Sequence, residues 1–126
     1  MDQPTERDLV LQTLLIEGIE RAEVAVSVYD DDGRYVAVNQ CACQLLGYSR
    51  DEILAHDVSD FTKGGIDRKV LLSPRRREGV RLVERKDGST FPAAFVVVPT
   101  RISSLPYYLA LWWELADDDP RAADAS

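Results

Sequence analysis

In 126 residues the chain has one histidine, His56, and two cysteines, Cys41 and Cys43. Two positions apart, the cysteines point to opposite sides of any helix and cannot bridge each other. No Cys-x-x-Cys pair and no His–Cys cluster offers zinc a ligand set. There is also no Ser–His–Asp set, no carboxylate pair on a structured face and no phosphate-binding glycine loop. These residues predict neither a resident metal nor an enzyme. Cys43 reads as a small buried hydrophobe. The densest basic cluster is Arg75-Arg76-Arg77, near Arg68 and Lys69, and with no aromatic residues interleaved it reads as a solvated loop. The net charge of −7 repels phosphate backbones, so nucleic acid is not an expected partner.

The elements that would position these side chains fit one domain. Residues 5–22 predict an amphipathic helix, started by Thr5 and Asp8, with Leu11, Leu14, Leu15 and Ile19 on its apolar stripe. Val24–Tyr29 and Arg34–Val38 alternate like paired strands, joined by Asp-Gly in the manner of a two-residue turn. Asn39 caps a helix over 40–46 that Gly47 closes, and Ser49 with Glu52 forms a capping box for the next. Short helical pieces carrying Phe61, Ile66, Val70 and Leu71 fill 58–77. Three strands follow, at 79–85, 90–101 and 107–115, the first two joined by a second Asp-Gly turn. The expected fold is α+β: a five-stranded antiparallel sheet with short helices on one face and an N-terminal amphipathic helix. The division expected is helix 1–21, domain 22–117 and flexible acidic tail 118–126.

No basic and apolar leader opens the chain at Met1-Asp2-Gln3-Pro4, and the apolar run Leu109–Trp113 is far short of a membrane span. A soluble cytoplasmic protein without membrane partners is expected. The last two strands are apolar on both faces. Phe91, Ala93, Phe95 and Val97 lie opposite Ala94, Val96 and Val98; Tyr108, Ala110 and Trp112 lie opposite Leu109, Leu111 and Trp113. Both faces must therefore be covered. The short helices can cover one side, and the N-terminal helix, a partner subunit or both the other.

Asp30-Asp31-Asp32-Gly33-Arg34, then Val38-Asn39, then Leu45 to Leu54 resemble the PAS pattern D-x-D-G-R…N…L-L-G-Y-S-x-E-E-L. Arg85-Lys86-Asp87-Gly88-Ser89 is similar to that family's R-K-D-G-S, and Glu114-Leu115-Ala116 stands where many members carry Asp-Ile-Thr. The resemblance covers roughly residues 22–117. It implies a sensory module that holds a small molecule between sheet and helices and dimerises through an N-terminal helix and the outer sheet face. Flavin-binding blue-light members carry Asn-Cys-Arg-Phe-Leu where this chain has His56 to Phe61 without cysteine. Haem-binding members use a histidine on a later helix than His56, which reads instead as a solvent-exposed loop residue. Members with a thioester-linked chromophore need a cysteine in a loop that lacks one here. Haem and flavin are not expected.

Carried over residue by residue, the resemblance implies a pocket of Tyr29, Asn39, Cys43, Leu46, Phe61, Val83, Ala93, Phe95, Val97 and Trp112, or the same residues as a filled core. Arg81 joins the pocket if it shares the side of Val83, where an anionic group such as a carboxylate would suit it. A register slip of one residue turns it to solvent instead. The implied dimer surface is Leu11, Leu14, Leu15, Ile19, Val96, Val98, Leu109, Leu111 and Trp113. The function implied is a sensor of a small, mostly apolar or aromatic ligand, signalling through a homodimer or a signalling protein partner. The alternative is a ligand-free interaction module of the same fold.

Overall fold

A computed structural model describes residues 5–125. Residues 1–4, read as lacking a leader, and Ser126 at the end of the tail lie outside them. The first element is α1, Glu6–Arg21, started by a reciprocal cap: the Thr5 hydroxyl accepts from the Asp8 amide (3.1 Å) and the Asp8 carboxylate from the Thr5 amide (3.2 Å). The strands β1 (Ala25–Asp30) and β2 (Tyr35–Val38) follow, then the short helices α2 (Gln40–Leu46) and α3 (Arg50–Leu54). A 3-10 turn at Val58–Phe61 and the helix α4 (Arg68–Leu71) lead into β3 (Arg77–Glu84), β4 (Thr90–Ile102) and β5 (Leu105–Glu114). All pairings are antiparallel, in the order β2-β1-β5-β4-β3. The expected α+β fold is the one found.

Both Asp-Gly hairpins close differently from the two-residue turn expected. At the first, the Gly33 amide donates to the Asp30 carbonyl (3.0 Å) and the Asp30 amide to the Arg34 carbonyl (3.0 Å). Three residues thus stand outside the ladder, a tight turn followed by Gly33 at φ +81°. The second repeats this between Arg85 and Ser89, with Gly88 at φ +87°. This three-residue form needs one left-handed residue at its end, where glycine carries no Cβ penalty. The two-residue turn of the sheet is instead Ser103-Ser104, both at positive φ.

The core lies between the inner sheet face and the short helices. Leu46, Ile53, Phe61 and Leu71 from the helical layer meet Tyr29, Phe91, Ala93, Val97 and Trp112 from the sheet. In place of a featureless acidic tail, Pro120–Asp124 forms a 3-10 turn against β3, with Leu115 and Ala125 buried.

α1 has no buried residue. Leu11, Leu14, Leu15 and Ile19 are each about half exposed or more (49–61%), so the helix leaves its stripe bare instead of packing it on the sheet. Its attachment is at its end, where the Asn39 amide donates to the Ile19 carbonyl (2.8 Å) and Arg50 pairs with Glu20. The outer-face residues Val96, Val98, Leu109, Leu111 and Trp113 are correspondingly only half-buried.

Candidate functional site

The inner sheet face carries small residues, Ser27, Ala110, Ala25, Gly79 and Ala93, among larger ones in its cross-strand rows. Ser27 of β1 pairs with Ala110 of β5, Ala110 with Val97 of β4, and Val97 with Arg77 of β3. In the next row Ala25, Trp112, Phe95 and Gly79 follow one another. With Ala93 beside them, these short side chains leave volume that the helical layer does not fill. The result is a cavity of about 80 Å³, open on one side. Leu46, Val58, Phe61, Thr62 and Ile66 roof it.

Nine of the eleven expected pocket residues line this space: Tyr29, Leu46, Phe61, Arg81, Val83, Ala93, Phe95, Val97 and Trp112. Two do not. The Asn39 side chain, 2% exposed, is consumed by the frame. Its oxygen accepts from the amides of Val26 (2.9 Å) and Ala42 (3.1 Å), and its nitrogen donates to the carbonyls of Ile19 (2.8 Å) and Val24 (2.9 Å). It caps α2 and ties that helix to β1 and α1, leaving no donor or acceptor for a ligand. Cys43 is half-buried on α2 outside the cavity lining, near Glu20 and Arg50, and burial pushes its thiol up from the usual range.

The polar groups at the cavity are mostly engaged. The Trp112 indole donates to the Ser27 hydroxyl (3.1 Å). The Tyr29 hydroxyl donates to the Leu71 carbonyl (2.7 Å), and its ring stacks on Tyr108, whose own hydroxyl donates to the Leu72 carbonyl (3.0 Å). These bonds hold the C-terminal end of α4 on the sheet. Burial raises the Tyr29 hydroxyl above its ordinary range, although Arg77, donating to it at 3.4 Å, pulls the other way. Tyr35, buried in the core, is likewise pushed up by burial.

Arg81 pairs with Ala93 and Val83 with Phe91, so both face inward and the register alternative that turns Arg81 to solvent is not realised. Arg77 shares that face. The expected solvated basic loop stops short of it: β3 begins at Arg77, and its guanidinium lies 5.2 Å over the Phe95 ring. The triplet thus splits three ways: Arg75 is exposed, Arg76 pairs with Glu78 (3.1 Å) and Arg77 enters the cavity wall. Arg77 could have been found from sequence by continuing the alternation of Arg81 and Val83 back past Gly79. Ser27, Tyr35, Val58, Thr62, Ile66 and Ala110 were also absent from the expected set. Of these, Ala110 shared an inward face with Trp112.

His56 is not the solvent-exposed residue expected. It is half-buried against Tyr48 and Phe61, with ring centroids at 5.7 and 5.3 Å. Its Nδ1 lies 2.6 Å from the Glu52 carbonyl, which can only accept, so the proton sits on Nδ1.

A family model described as a PAS domain matches residues 23–112, well over half of the chain. The chain belongs to the PAS domain family. Solved structures agree. The PAS domain of an HTR-like protein from Haloarcula marismortui is 25% identical, with a TM-score of 0.74 over 87% of this chain and 97% of that one. A domain of a sensory box sensor histidine kinase/response regulator from Geobacter sulfurreducens is 21% identical, with a TM-score of 0.74 over 87% of this chain and all (100%) of that one. A LOV protein from Rhodobacter sphaeroides is 20% identical, with a TM-score of 0.68 over 82% of this chain and 67% of that one. The last two likenesses speak for the fold alone. No curated protein matches the chain. PAS domains are sensory modules common in signalling proteins. Among the described residues, no helix is long and apolar enough to cross a membrane.

Proposed function

We propose that this PAS domain is a non-enzymatic sensor that holds a small, largely apolar ligand in the inner-face cavity and reports its occupancy through a homodimer. The observation that carries the reading is the cavity itself. It is open to solvent, and Val83, Phe95, Val97, Phe61 and Ile66 make its lining mostly apolar. The reporting surface would be the bare stripe of α1, with Val96, Val98, Leu109, Leu111 and Trp113 on the outer sheet face. An apolar stripe this continuous favours a covered position over a wet one. On this reading residues 1–21 are a signalling arm, 22–117 the sensor and 118–126 a tail, in a cytoplasmic setting with a further signalling protein as the receiver.

Native mass spectrometry of the purified chain tests both halves together. A dimer mass carrying a retained small molecule is expected, and Leu14→Glu with Leu15→Glu should convert the dimer to monomer. A monomer without any ligand removes the reading.

The size of the cavity favours a second reading. About 80 Å³ is well below the roughly 150 Å³ that accommodates benzene in an engineered core. The same fold then serves as a ligand-free interaction module, which the same spectrum would show as a dimer of bare chains.

A further inference from the structure

We propose that the ligand is a small monocarboxylate, its carboxylate held by Arg81 at the cavity wall and its short apolar body inside; this rests on the sensor reading above. The chain has 22 acidic residues and a net charge of −7, yet among the described residues no aspartate or glutamate lines the cavity, while two arginines do. The acids of β3 are engaged elsewhere: Glu78 pairs with Arg76 (3.1 Å) and Glu84 with Lys63 (3.5 Å). Arg77 has the Tyr29 hydroxyl and the Phe95 ring. Arg81 is half-buried and, among the described residues, its guanidinium has no hydrogen-bond or ion-pair partner.

Among the described residues no buried side-chain nitrogen or oxygen lacks a partner, so the free Arg81 guanidinium still meets water at the cavity wall, and a carboxylate matches its planar fork with two parallel bonds. One free fork calls for one carboxylate. A phosphate would bring more charge than a single arginine and an apolar wall can satisfy. The rest of the lining suits a hydrocarbon body. The cavity volume keeps that body short, and the open side lets the charged end sit where Arg81 still reaches water. A neutral ligand of the same shape would leave Arg81 as it is and gain only the apolar contacts.

Calorimetric titration of the full chain with propionate and butyrate, beside propionamide, butyramide and inorganic phosphate, tests this. Saturable binding of a carboxylate is expected. Its amide should bind at least about tenfold more weakly, in line with losing a hydrogen bond to a charged group. Phosphate should not bind. Arg81→Met should weaken the carboxylate by about as much, Arg81→Lys should restore part of the affinity, and Arg76→Met should leave it unchanged. If Arg81→Met fails to fold, Arg81→Gln gives the same comparison. An amide that binds as tightly as its acid, phosphate that competes with the acids, or carboxylate binding that survives loss of Arg81 would each overturn the assignment. Amide binding as tight as the acid's that Ala93→Phe abolishes would leave the apolar sensor standing while removing the carboxylate. Absence of binding by every probe counts against both.

Discussion

The two ends of the layer between sheet and helices are built on different terms. At the β1–β2 end, Ala25, Ala42 and Ile53 have no exposed surface and Leu46 almost none (1%), and Asn39 uses both ends of its amide on four backbone groups. At the β3 end, Arg81, Val83 and Phe95 are half-buried. Their cover is a segment pinned to the strand edge by the Thr62–Val83 bridge and by the Lys63 amide on the Leu82 carbonyl (2.8 Å). Around Asn39, Ala25, Ala42 and Ile53 every polar group is satisfied and no residue lines the cavity. The β3 end keeps space, and at Arg81 an unpaired charge. A sensor can be read in that division of labour: the satisfied end holds the frame while the unsatisfied end is free to respond.

The largest effect should come from the satisfied end. Asn39→Ala removes a helix cap and strands buried backbone groups, and should lower stability by about 3 kcal/mol in urea unfolding. A loss below about 1 kcal/mol would mean that water replaces the amide and that this end is not closed.

The comparison is sharpest when one substitution is made at both ends. Ala42→Leu enlarges a side chain in a filled space and should cost about 1–3 kcal/mol, whereas Ala93→Leu extends into the cavity and should cost less than about 1 kcal/mol. Thermal unfolding of the two variants side by side measures the contrast. Equal losses would show that the cavity is closed in solution.

The smallest effect concerns the Glu52–Lys86 pair (2.6 Å), which joins α3 to the β3–β4 hairpin. Lys86, and after it the Ser49 amide, holds the Glu52 carboxyl down from 4.5 to about 2. The carboxylate is thus favoured in the folded chain, so its contribution is complete above the unfolded value of 4.5 and disappears as pH falls towards 2. Both side chains are about half exposed, and salt screens such a pair. Chemical unfolding from pH 5 to pH 2 should show a shallower decline for Lys86→Met than for the unaltered chain. An unchanged slope would place the pair outside the stability of the frame.

Much of this was legible in the residues themselves. Thr5 with Asp8 and Ser49 with Glu52 are local pairs whose geometry needs nothing beyond four consecutive positions, and they cap helices as their types require. The glycines of the two Asp-Gly turns marked the hairpins, but the loop length depended on how the flanking strands register. Period-two alternation put Ala93, Phe95 and Val97 on one face of their strand, and Ala110 with Trp112 on one face of the next. It could not choose between the two registers of Arg81, because an edge strand with one neighbour and mixed polarity carries no strong pattern of its own.

What the sequence alone determined is therefore local: capped helices, turn positions, strand alternation and the family they spell in order. The tertiary structure decided what happens across strands. Ser27, Ala110 and Val97 are far apart in the chain, and only the β1–β5–β4 register sets them side by side. Asn39 was legible as a cap, but the carbonyls of Ile19 and Val24 that use up its amide are brought to it by the packing of α1 and β1 on α2. Arg77 became part of the wall because the long β4 extends the pairing of β3 beyond Gly79. A cavity is volume left over when separate elements meet, and no single element's sequence contains that quantity.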